Sequence, residues 1–138
     1  MAYVIPSKFP VDTLPDVTVG VSIPFSGVAV FNQTYLTKDQ IKSNLINFFL
    51  TNQGERYLNP NFGGDLRKLL FEAISANTLD SFESYLKEQL KLLFPNVGIQ
   101  NLEVTAQPDS NLIALSLKYQ VLNQSPDDIQ INFSTDAL

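Results

Sequence analysis

An α+β fold is what this sequence predicts: about three helices packed on a small antiparallel or mixed sheet, preceded by an extended N-terminal arm. Two observations lead there. Apolar residues recur at helical spacing between residues 37 and 93, then alternate with polar ones between 102 and 133. Four of the eight prolines, Pro6, Pro10, Pro15 and Pro24, crowd the beginning of the chain. Each removes a backbone donor and pushes its predecessor toward extended geometry, so residues 1–27 read as an arm and 28–138 as one α+β domain.

Within the arm, Val17, Val19, Val21 and Ile23 alternate with Thr18, Gly20 and Ser22, the period of a strand with one buried face. Such a strand either packs on a neighbouring molecule or forms an ordinary edge on its own core. Val28 to Phe31 reads as a short strand or hairpin. The first helix is expected to open at Thr37 with Gln40 completing a capping box, to bury Ile41, Leu45, Phe48 and Phe49, and to stop by Gly54. Asp65 is the expected N-cap of a short second helix holding Leu66, Leu69, Leu70 and Phe71. Thr78 is expected to cap the third helix, with Asp80 and Glu83 near its positive end. Leu79, Phe82, Leu86, Leu90 and Leu93 form its apolar stripe before Pro95 ends it, and Asn96 and Gly98 turn the chain. Strands then follow through Leu102, Val104 and Ala106, through Ile113 to Val121, and through Ile129, Ile131 and Phe133. Pro108 to Asn111 suits a tight reversal between the first two.

Composition narrows the function. The 138 residues suffice for one domain with a real core. Only 17% are charged, which weakly favours a protein that lives in an assembly. The net charge of -5, with no basic run longer than Arg67-Lys68, argues against nucleic acid as a partner. Cysteine and histidine are both absent. Thiolate and imidazole catalysis are therefore excluded, together with the usual transition-metal sites. No cofactor or metal is expected, since Asp127-Asp128 lacks the spaced oxygen ligands of a calcium loop. No signal peptide or membrane-spanning run is visible, so a soluble protein made in the cytoplasm is expected.

The stretch from Thr51 to Leu66 carries the strongest local signal. Gly54, Pro60, Gly63, Gly64 and Asp65, with two large aromatics, imply a rigid corner. Arg56, beside Glu55, either ties that corner together or offers its planar fork to a partner's carboxylate. Phe62 reads as an aromatic plug. Phosphate-loop chemistry is excluded because Asp65-Leu66 stands where Lys-Ser/Thr is required. Glu55, Asp65 and Glu72 are the carboxylates that a glycosidase would need to bring together. The uncharged run Ile129 to Ser134 is a template for strand addition if it forms an edge, and an ordinary central strand if it is paired on both sides.

The residues Thr51, Gly54, Glu55, Arg56, Pro60, Phe62, Gly63, Leu66, Leu70, Phe71 and Glu72 resemble the pattern of the contractile-phage baseplate wedge family that initiates the tail sheath. That family is related to a baseplate subunit of type VI secretion systems. The similarity runs from about Val28 to Phe133 and includes the turn Ser125-Pro126-Asp127-Asp128-Ile129. The resemblance implies a non-enzymatic virion component, present in multiple copies around the tail tube. It would dock on baseplate wedge proteins and template the first ring of tail sheath protein through Ile129, Ile131 and Phe133. It also keeps a lysozyme-like, peptidoglycan-cleaving reading in view, because the family was first described as lysozyme. One departure stands out: where many members carry Glu-Pro-Arg, a contact to the wedge core, this chain has Phe94-Pro95-Asn96.

Overall fold

The computed structural model describes residues 10–14, 16–23, 32–71, 75–122 and 124–134. The expected strand at Val28 to Phe31 lies outside them, as does Glu72. The chain forms two compact units, Met1–Phe48 and Phe49–Leu138. Three helices and two antiparallel sheets among the described residues make the fold α+β, as the change of period predicted.

In the first unit a 3-10 turn, Pro10–Thr13, precedes a two-stranded ladder of β1 (Gly20–Val21) and β2 (Gln33–Thr34). The predicted arm strand is therefore short. It is lengthened at each end by Val19 N–H donating to the Thr34 carbonyl and Ser22 N–H donating to that of Asn32, both at 2.8 Å. Helix α1 (Thr37–Leu50) begins where expected, but its cap is not local. Asp12 accepts from the Thr37 N–H at 2.8 Å and from its hydroxyl at 2.7 Å, while Gln40 turns away to accept from the Thr34 hydroxyl at 2.6 Å. A carboxylate at a helix start satisfies an orphan donor and faces the positive end of the dipole, so Asp12 displaces the predicted capping box. Leu45, Phe48 and Phe49 are fully buried.

The second unit is built on a three-stranded sheet in the order β3 (Val97–Gln107), β4 (Leu112–Val121), β5 (Asp127–Ser134), all antiparallel. Helix α2 (Leu66–Phe71) lies against β4 and β5, and α3 (Ala76–Leu93) against β3. Register aligns Val104 with Leu115 and Leu115 with Ile131, and likewise Leu102 with Leu117 and Leu117 with Ile129. Apolar rows thus cross the sheet on one face. Each fully buried Leu or Ile there stabilises the fold by about 1.5–3 kcal/mol.

Several local expectations change. Ser75, not Thr78, caps α3: it is extended (φ -120°) and its hydroxyl accepts the Thr78 N–H at 3.2 Å. Of the predicted α3 stripe only Leu86 and Leu90 are buried, while Leu93 is exposed. Phe71 closes α2 but is 74% exposed. Gly98 lies inside β3 rather than in the turn before it. A register shift between Ile99 and Asn101 adds a residue to β3. Before it Val97 faces the core, after it Leu102 and Val104 do, which is the change of parity a bulge imposes.

Candidate docking surfaces

The corner between α1 and α2 is held by backbone bonds. Gly54 N–H donates to the Pro60 carbonyl at 2.7 Å, closing a loop over residues 54–60, and Phe62 N–H donates to that of Asn59 at 3.2 Å. Gly54 has φ 89° and Gly63 φ 139°, both in the region that favours glycine. A Cβ on Gly63 would stand 2.5 Å from the Thr51 carbonyl oxygen, so glycine is required there for space as well as torsion. Gly64 is buried beside it. Asp65 precedes α2 with φ 56°, not the extended geometry of a side-chain cap, and its carbonyl accepts the Lys68 N–H at 3.2 Å.

Glu55 and Arg56 take different roles. Glu55 clamps Asn52, accepting from its N–H at 3.1 Å and its side-chain amide at 2.9 Å. The Arg56 guanidinium sits 3.8 Å from the centroid of the buried Phe62 ring. That cation–π contact ties the guanidinium to the corner while leaving Arg56 exposed. Sequence reasoning missed the tip of the loop. Tyr57 and Leu58 are 98% and 95% exposed, a large apolar pair on a rigid support. The run of turn residues around them was the signal available, but it predicts the path of the backbone and not the side facing water.

Beside the corner, Gln53, Asp65, Lys68, Leu69, Phe82 and Tyr85 line a pocket of about 320 Å³. Gln53 donates to the Tyr85 hydroxyl. Burial, then the Asp65 charge, push the Tyr85 phenol above its usual range, and the Gln53 bond opposes them. Of the carboxylates considered for glycosidase chemistry, Asp65 lines the pocket, Glu55 accepts from Asn52, and Glu72 lies outside the described residues. Among the described residues no group of three or more acids could hold a metal ion. No helix among them is long and apolar enough to cross a membrane.

Pro95 and Asn96 help line a shallow hollow of about 340 Å³ with Gly98, Gln120 and Leu122, and Phe94 beside them is half-buried. They lie apart in sequence and in element from the corner loop.

The two edges of the sheet differ. On β3 the Val104 N–H donates to the Glu83 carboxylate of α3 at 2.8 Å, so that amide points away from β4 and is covered. In antiparallel pairing the sense alternates residue by residue. If Val104 points outward, its partner Leu115 points toward β5, and Ile131 opposite it points back toward β4. The backbone groups of Asp128, Gln130, Asn132 and Ser134 are therefore directed away from the sheet. Asp127 accepts the Asp128 N–H at 2.9 Å, which leaves Gln130 to Ser134 as the edge that no other described strand pairs with. Ile129 and Phe133 are buried and Ile131 half-buried on the core side.

Comparison with known proteins follows the same residues. Residues 36–125 match the model of the baseplate wedge protein gp25 family. The chain belongs to that family. It is 28% identical over 90 residues to baseplate wedge protein gp25 of Enterobacteria phage T4, covering 65% of this chain and 67% of that protein. The fold is shared with a Geobacter sulfurreducens protein provisionally named a tail lysozyme (TM-score 0.60, 21% identity, 70% of this chain and 89% of that one). It is also shared with a chain of the anti-feeding prophage baseplate (TM-score 0.52, 16% identity, 82% of each). A chain of the type VI secretion baseplate complex is similar as well (TM-score 0.53, 16% identity, 68% and 89%).

Proposed function

We propose that this gp25-family chain is a structural, non-enzymatic subunit of a contractile-tail baseplate. In this reading it docks on wedge proteins through its corner and lends the edge of β5 to the first ring of sheath subunits. The single observation that supports it best is the asymmetry of the sheet, whose β3 edge is covered at Val104 by Glu83 while, among the described residues, β5 is paired only to β4. A long, uncharged edge from Ile129 to Ser134 is a liability for a free protein and an asset for one that recruits another strand. Docking is supported by Tyr57, Leu58 and the stacked Arg56, since fixed aromatic and arginine side chains are the usual anchors of an interface. The hollow lined by Pro95 and Asn96, next to Phe94, is a second place for a wedge contact.

A co-assembly assay tests this. Asn132→Pro removes an outward N–H without touching the ladder to β4, a position proline tolerates on an edge. It should leave the isolated fold intact and abolish sheath growth on baseplates. Arg56→Glu should instead reduce incorporation into the wedge. Sheath growth at the normal rate on baseplates carrying Asn132→Pro would refute strand lending.

A further inference from the structure

We infer that the pocket beside the corner receives an arginine side chain of a wedge protein, held by Asp65 against the rings of Phe82 and Tyr85. The choice of partner rests on the docking reading of the corner and is independent of strand lending. The pocket, about 320 Å³, is at the small end of ligand cavities and suits one long side chain rather than a folded segment. Its walls come from the corner at Gln53, from Asp65 and the first turn of α2, and from Phe82 and Tyr85 of α3.

The Asp65 carboxylate is the group left to be answered. Asp65 is tied down by its main chain, its N–H donating to the Thr51 carbonyl at 3.5 Å and its carbonyl accepting the Lys68 N–H at 3.2 Å. No hydrogen bond or ion pair holds its side chain among the described residues, whereas Lys68 on the same rim is engaged within the chain. Arg56, the arginine of the corner, lies over Phe62 instead. The other groups on the wall also accept. Gln53 spends its side-chain N–H on the Tyr85 hydroxyl, which leaves its Oε1 and a lone pair on Tyr85 Oη. A guanidinium brings five N–H donors, no acceptor and the compensating charge, and it can bind a carboxylate through two parallel bonds. The Phe82 and Tyr85 rings, 6.3 Å apart and tilted by 37°, add an aromatic wall on which its plane can stack. An ammonium is compact and strongly hydrated and cannot use wall and carboxylate together as well. An anion would be set against Asp65, whose charge, second to burial, already raises the Tyr85 phenol above its usual range.

The test titrates the isotope-labelled full chain with a capped Gly-Arg-Gly peptide, followed by amide NMR, and with counterparts carrying lysine, citrulline or glutamate. Resonances of Gln53, Asp65 and Tyr85 should shift and saturate on the order of millimolar with the arginine peptide. The lysine peptide should bind about threefold more weakly, and the citrulline peptide, a neutral isostere, about tenfold. Asp65→Asn keeps a residue that tolerates the left-handed backbone (φ 56°), so the fold stands, and it should weaken the arginine peptide by about tenfold. It should also reduce incorporation into the wedge, as Arg56→Glu should. No saturable shift with the arginine peptide would overturn the proposal, as would equal or tighter binding of any counterpart. Arginine binding untouched by Asp65→Asn would do the same. Normal incorporation of Asp65→Asn where Arg56→Glu fails would overturn it while leaving docking through the corner in place. Normal incorporation of both variants would overturn both readings.

Discussion

At the scale of single residues, the corner shows which glycines are obligatory and for what reason. Gly54 has φ 89° but no atom within 4 Å of the position a Cβ would take. Gly54→Ala should therefore cost only the torsional penalty, about 1–2 kcal/mol. Gly63 combines φ 139° with the backbone of Thr51 and Asn52 inside contact distance, and neither is a side chain able to swing away. Gly63→Ala should cost roughly 3 kcal/mol or more, because strain and backbone displacement add. Urea denaturation of the two variants measures this contrast. Equal losses would mean that the corner yields at Gly63, and the rigid presentation of Tyr57, Leu58 and Arg56 would lose its basis. Phe62 and Tyr57 illustrate why the sequence alone left their roles open. Both are large aromatics in the same turn, yet one is a buried platform for Arg56 and the other is fully exposed, a division made by the Gly54–Pro60 closure.

At the scale of elements, the covered edge of β3 depends on one side chain. Glu83 was expected to favour the helix dipole, but α3 starts at Ala76, so Glu83 lies beyond the first turn and serves Val104 instead. Glu83→Ala should lose about 2 kcal/mol, since it deletes a charge-assisted bond and leaves a part-buried N–H without an acceptor. Glu83→Gln, which keeps an acceptor, should lose about half as much. The Ala variant should also self-associate through its opened β3 edge, visible as a concentration-dependent sedimentation coefficient. Stability unchanged in both would mean that another group covers the edge. The elements themselves were largely legible: strands β4 and β5 follow directly from alternation, because the period of a strand is set by local backbone geometry. What sequence did not reveal were the non-local choices. The Asp12 cap reaches across 25 residues to Thr37, the β3 bulge depends on register with β4, and Ser75 and Thr78 are both plausible caps until packing selects one. The β5 edge belongs to the same class, since strand order is a tertiary property and either sequence reading of that strand was admissible; among the described residues β5 pairs only with β4.

At the scale of the whole molecule, stability responds to pH through Tyr85, which joins the corner to α3. Its phenol is raised above the ordinary value near 10 by burial and by Asp65, so the folded chain holds this proton at pH values where the unfolded chain has released it. In that window the native state binds more protons than the unfolded state, and stability must fall as pH rises. Below about pH 9 both states keep the proton and Tyr85 contributes no slope. The sign is therefore alkaline destabilisation beginning near pH 10 and continuing until Tyr85 ionises in the fold. Tyr85→Phe should be less stable than the parent at neutral pH, because the Gln53 bond is lost, yet its stability should decline less steeply as pH rises past the ordinary phenol value. Asp65→Asn should bring the Tyr85 titration down toward the ordinary value by removing the nearby negative charge. Ultraviolet difference spectra against Tyr85→Phe isolate that phenol. If Tyr85 ionises at the ordinary phenol value, Asp65 and Tyr85 do not share an environment in solution, and the corner is not anchored to α3 in the way its geometry requires.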